Sequence, residues 1–175
     1  MSIEPDTKDW TWVLERVCPE CGYDAAAVPP DDVAPHLREN AVAWVALLGG
    51  PVRERPSPTT WSPLEYACHV RDVLRLYDER LVLMLEQDDP LYANWDQDAT
   101  AVEQRYAEQD PAVVAEELAH AAEQVADRFA ALAAPQWDRT SRRSDGASFT
   151  VTSFARYFLH DVVHHLHDAR EPGPR

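Results

Sequence analysis

SPLEYACHVRDVLRLYDERLVLMLEQ, residues 62–87, reads as the opening and body of one long helix. Ser62 offers a side-chain oxygen to the unpaired N–H groups of a first turn. Pro63 suits the first helical position, and Glu65 follows Ser62 by three, the spacing of a capping box. Asp88-Asp89-Pro90 closes the run. At 1.5 Å per residue such a helix is ~38 Å long. His69 shares a face with Val73, Leu76 and Leu83, so it is predicted to point inward.

Three more segments of this kind flank it. Asp31 or Asp32 starts a helix that reaches Leu48, where Gly49-Gly50-Pro51 stops it. Leu37, Val42, Val45 and Leu48 are its expected apolar face. Asp110-Pro111, cap then proline, opens an Ala-rich helix to about Ala133, before Pro135. The last helix runs from about Thr150 to Ala169. Residues 91–109, with Tyr92, Trp95, Asp96 and Asp98, form a long connection with one helical turn near Val102 to Tyr106. Long ordered connections often line functional sites, so Trp95, Asp96 and Asp98 are candidates for a pocket edge. Asp145-Gly146 marks a turn. No strand pair or internal repeat is evident. The pattern predicts an all-α fold, an up-and-down antiparallel four-helix bundle over residues 31–170. An ordered arm, residues 1–30, precedes it and packs through Trp10 and Trp12; a flexible tail, 171–175, follows.

The chain has 175 residues, 45% of them hydrophobic, which suits one domain with one core. Its net charge of −15 repels phosphate backbones and anionic membranes, so neither nucleic acid nor a membrane is an expected partner. No apolar run reaches the ~18 residues of a membrane span. Met1 to Trp10 lacks the basic-then-apolar pattern of a signal peptide, so the expected compartment is the cytoplasm. Three cysteines cannot all pair, and in a reducing compartment they are thiols or ligands. Cys18-x-x-Cys21 is half of a zinc site, a redox pair or incidental. A structural zinc needs four ligands, and no second Cys-x-x-Cys exists.

Four of the seven histidines fall in the last helix: His160, His164, His165 and His167. His160 and His164 lie one turn apart on one face, beside the apolar stripe of Ala155, Leu159, Val162 and Leu166. Two imidazoles at this spacing reach one ion, but two ligands bind weakly. An inward His69 is the best third. His165 is expected to face solvent with Asp161 and Asp168. Zinc, nickel or iron accepts such nitrogen ligands. Glu65 and Asp72, one turn either side of His69, are candidates to orient it. Asp161 makes a His-Asp-x-x-His that resembles the zinc-peptidase motif. Its side chain is short, however, and no third ligand follows His167.

Trp61-Ser62-Pro63-Leu64-Glu65-Tyr66-Ala67-Cys68-His69, followed by His160-x-x-x-His164-His165, resembles the DinB/YfiT-like family of bacterial metalloproteins over residues 33–170. The resemblance implies a four-helix bundle and a divalent ion on His69, His160 and His164. It also implies kinship with thiol-dependent isomerases and transferases, among them mycothiol-dependent maleylpyruvate isomerase. Such relatives use mycothiol, bacillithiol or glutathione. The expected function is therefore thiol-dependent S-transfer or isomerisation of a small molecule, with a low-molecular-weight thiol as co-reactant. A non-catalytic metal-binding or stress-associated role is the alternative. A homodimer is also implied. The Cys18-Pro-Glu-Cys21-Gly22 arm is outside the family pattern.

Overall fold

The computed structural model describes residue 3 and residues 9–171. The remaining residues, including nearly all of the expected tail, lie outside the described part. Four long helices carry the fold: α1 (Val33–Leu48), α2 (Pro63–Glu86), α4 (Pro111–Ala130) and α5 (Val151–Arg170). A short α3 (Gln97–Glu103) lies in the connection between α2 and α4. Around the bundle the neighbours are α1, α4, α2 and α5 in turn. Both the α1–α2 and the α4–α5 connections therefore cross a diagonal, and α2 lies beside α5. Among the described residues no helix is long and apolar enough to cross a membrane.

The helix starts follow local chemistry. Ser62 and Glu65 form the capping box: Glu65 N–H donates to Ser62 Oγ (3.3 Å) and Ser62 N–H to Glu65 Oε2 (2.9 Å). Asp110 accepts from Ala112 N–H and Thr150 from Ser153 N–H. At α1 the outcome differs. Asp32 takes the cap position without a side-chain hydrogen bond, after a 3-10 turn at Pro30–Asp32. The buried face of α1 is Leu37, Ala41, Trp44 and Leu48, while Val42 and Val45 stay 70% and 41% exposed. Trp44, fully buried, sets that rotation, since one large ring outweighs two small β-branched side chains in area removed from water.

Glu65 does more than cap. It is buried and also accepts from Arg55, with Nε 2.8 Å from Oε2. Burial alone would raise its pKa, but Arg55 and Ser62 hold it below the ordinary carboxylate value. A depressed folded-state pKa stabilises fully above the ordinary carboxylate range and is lost as pH falls through the folded value. Glu65→Ala is expected to cost about 2 kcal/mol, seen as a lower urea midpoint. Glu65→Gln is expected to flatten the acid limb of stability against pH.

The core is aromatic: Tyr66, Phe129, Phe154 and Phe158 are fully buried with Trp44. Tyr77 stacks on Phe158 at 4.5 Å and 12°. Asp78 of α2, also buried, accepts from Arg128 Nη2 (3.1 Å) and Gln124 Nε2 (2.9 Å) of α4.

A three-stranded sheet, absent from the sequence expectation, caps one end. β1 (Leu91–Tyr92) runs parallel to β2 (Thr140–Arg143), which pairs antiparallel with β3 (Ser148–Thr150). Strands this short show no usable alternation, and β1 pairs with residues about fifty positions away, while β2 and β3 form a local hairpin around Asp145-Gly146. The sheet matters because it delivers Arg143 and the turn at Asp145-Gly146 to the cavity described next.

Candidate metal centres

α5 carries His160, Asp161, His164 and His165 on two successive turns. These are two interleaved i, i+4 pairs, ~100° apart around the helix. The bundle turns one pair toward α2 and the other toward the arm.

His69 of α2 meets the Asp161–His165 pair. His69 is fully buried, stacked on Trp95 at 5.4 Å and 16°, with Trp61 at 5.4 Å and His165 edge-on at 4.5 Å. His69 Nε2 and His165 Nε2 each stand 3.5 Å from the same oxygen, Asp161 Oδ1. That is long for a hydrogen bond. It matches the ~3.4 Å that separates ligands held ~2.0–2.1 Å from one tetrahedral ion. Neither ring nitrogen of His69, nor Asp161 Oδ1, has a hydrogen-bond partner among the described residues. A fully buried imidazole with both nitrogens unsatisfied is costly unless something else occupies them. The three side chains therefore fit a divalent ion. Burial opposes the charge on Asp161, yet the facing His69 and His165 imidazoles hold its carboxyl down at about 2. It is ionised, as a ligand must be.

His160 and His164 face the arm instead. Their side chains group with Cys18 and Cys21, all four donor atoms lying within 4.8 Å of one another. Burial and the neighbouring His164 lower the pKa of His160 to about 4, so it is neutral at physiological pH. Trp10 covers the pair, with ring centroids 5.5 Å from His160 and 5.0 Å from His164.

The expected ligand set is thus divided. His69, His160 and His164 are not brought together as one group; His69 takes Asp161 and His165 as neighbours. His165 is not turned to solvent, since its side chain is only 13% exposed. The cause is the phase of α5, set by Phe154, Phe158, Val162 and Leu166, which a helical wheel locates only to within a residue. Glu65 and Asp72 do not orient His69: Glu65 serves the cap and Asp72 accepts from Tyr106 Oη and Arg71. His36 and His120 are exposed and join neither group. Cys68 is buried, its thiol pushed up to about 12 by that burial.

A cavity of about 1930 Å³ opens beside both groups. Asp161, His165, Trp95, Arg80, Arg143 and Tyr157 are on its wall, with Asp96 and Asp98 at the connection. Arg80 lies over Tyr92 at 4.5 Å and donates to the Ala93 carbonyl (2.8 Å). Among the described residues no carboxylate pairs with it, and burial lowers its pKa.

A search of curated proteins finds no match. Among solved structures the fold is similar to YfiT from Bacillus subtilis, described as a probable metal-dependent hydrolase with an unusual four-helix bundle topology. The likeness has a TM-score of 0.70 at 17% identity, over 80% of this chain and 82% of that one. The profile of the DinB superfamily matches residues 22–169, which include α1, α2, α4 and all but the last residue of α5. The chain belongs to the DinB superfamily.

Proposed function

We propose that the protein is a divalent-metal-dependent enzyme of the DinB superfamily. In this reading His69, Asp161 and His165 hold the ion, and a thiol-dependent transfer or isomerisation takes place in the adjoining cavity. The observation that carries the reading is the convergence of His69 Nε2 and His165 Nε2 on Asp161 Oδ1 at 3.5 Å, on the border of the cavity. Three protein donors leave an open position, as in catalytic sites, whereas structural sites close the shell. Bound there, zinc, nickel or iron lowers the pKa of a thiol or water.

The chain's own residues supply the rest. Asp161 contributes one negative charge to the donor set. Trp61 and Trp95 flank His69, fix its ring plane and exclude water from it. Arg80, buried on the cavity wall with no carboxylate paired to it among the described residues, suits an anionic group on a small substrate. Arg80→Leu is expected to weaken binding of small carboxylates by about tenfold or more, the worth of one charge-assisted hydrogen bond. Competition calorimetry measures this, with metal content unchanged.

Titration of the metal-loaded protein with mycothiol, bacillithiol and glutathione tests the thiol assignment. Heat with one of them, lost in Asp161→Ala, is expected; no heat with any thiol while the ion stays bound contradicts it. The likeness to YfiT favours a second reading, metal-dependent hydrolysis by water at the same three residues. Turnover of an ester or amide without added thiol would decide for it.

A further inference from the structure

The arm carries two thiols that the reading above does not use. We propose that Cys18, Cys21, His160 and His164 form a second metal centre, a closed structural zinc site that clamps the N-terminal arm to α5.

The donor set is complete. Two sulfurs and two imidazole nitrogens make the four ligands of a structural zinc, and together they leave no open position. Cys18 Sγ stands 3.7 Å from His164 Nδ1. Tetrahedral zinc, ~2.3 Å from sulfur and ~2.0 Å from nitrogen, sets those two atoms ~3.5 Å apart. Cys18, His160 and His164 are buried, and Cys21 is partly so. His160 Nε2 is buried with no hydrogen-bond partner among the described residues.

The surroundings suit an ion. His164 turns Nδ1 to Cys18, and its Nε2 faces Glu20 Oε2 at 3.4 Å and Asp168 Oδ2 at 3.7 Å. Carboxylates behind the far nitrogen are how ligating histidines are oriented. Glu20 comes from between the two cysteines, so the short Cys-Pro-Glu-Cys segment supplies both ligands and an orienting group. Gly22 makes the return: its φ of +75° lets its N–H reach the Cys18 carbonyl (2.9 Å), while Cys18 N–H donates to Tyr23 O (2.9 Å). The arm is also tied by Tyr23 Oη to the Arg156 carbonyl (2.9 Å) and Arg156 Nε to the Val28 carbonyl (3.0 Å).

Charge balances in this centre. Both thiols lose their protons to solvent as the dication enters, and two thiolates cancel its charge in a buried place. A neutral closed shell has no catalytic position, which separates it from the His69–Asp161–His165 group one helix face away.

The test uses the full chain, stripped under reducing conditions and reloaded with cobalt(II). Sulfur-to-cobalt charge transfer and intense tetrahedral bands are expected from the wild type. They should persist in His69→Ala and vanish in Cys18→Ser and Cys21→Ser. Zinc content should fall from two ions per chain to one in either cysteine variant. Absence of the sulfur bands from wild type, or both thiols reacting freely in the zinc-loaded protein, overturns the proposal; so does a Cys18–Cys21 disulfide in protein purified under reducing conditions. The wild-type spectrum and thiol assay stand even if a cysteine variant fails to fold. Only one zinc per chain in the wild type, with no change in His69→Ala, would instead count against the proposed function.

Discussion

His69→Ala is expected to abolish metal-dependent turnover, lowering it by more than about 100-fold, the upper range for losing only an orienting partner of a ligand. The argument starts from burial. His69 is wholly inside the bundle between two indoles, and neither of its nitrogens has a hydrogen-bond partner among the described residues. Its imidazole is therefore a poor core residue and a good ligand. Alanine removes one of three donors, and the remaining Asp161–His165 pair, on one helix, binds weakly. The structural cost has two parts of opposite sign: a void where the ring stood, and relief of two buried unpaired nitrogens. Thermal melts in chelator should therefore separate wild type from variant much less than melts with metal. A large loss of stability in chelator with no loss of metal content would mark His69 as a packing residue instead. Asp161→Asn gives the complementary result. It keeps the side-chain shape and removes the anionic donor, so metal affinity should fall with little change in the chelated melt.

Phe158→Ala is expected to be the most damaging core substitution on α5, costing about 3–5 kcal/mol. Phe158 is fully buried, stacked on Tyr77 of α2 at 4.5 Å and 6.3 Å from Phe129 of α4. It therefore joins three helices at one point. Against a typical total of about 5–15 kcal/mol this is a large share. For a chain of this size the melting temperature should drop by roughly 6–20 °C, measured by calorimetry on metal-free protein. Phe158 lies just before His160 and Asp161, so the variant should also bind both ions more weakly. Phe158→Leu, which leaves a smaller void, should lose less than half as much.

Much of this architecture is legible in the sequence because it is written locally. Ser62, Pro63 and Glu65 specify the start of α2 within four residues, and Asp110-Pro111 and Thr150 do the same for α4 and α5. β1 was not legible, since Leu91–Tyr92 pairs with residues about fifty positions away and has no pattern of its own; β2 and β3 flank the legible Asp145-Gly146 turn but are too short to show alternation. The site was half legible. His69 and a histidine pair on the last helix stand out at once. Yet His160-Asp161-x-x-His164-His165 contains two pairs of identical spacing, and a one-residue shift in phase exchanges them. That phase comes from Phe154, Phe158 and Val162 packing against other helices, which is tertiary information. Ligand counting holds one further clue. Cys18-x-x-Cys21 lacks two donors, and a spare His-x-x-x-His supplies two. This arithmetic leaves Asp161 and His165 for His69.

Anomalous diffraction from crystals of the metal-loaded protein tests the division most directly. The account predicts a peak within coordinating reach of His69 Nε2, Asp161 Oδ1 and His165 Nε2. A single peak shared by His69, His160 and His164, with Asp161 and His165 out of reach, would contradict it.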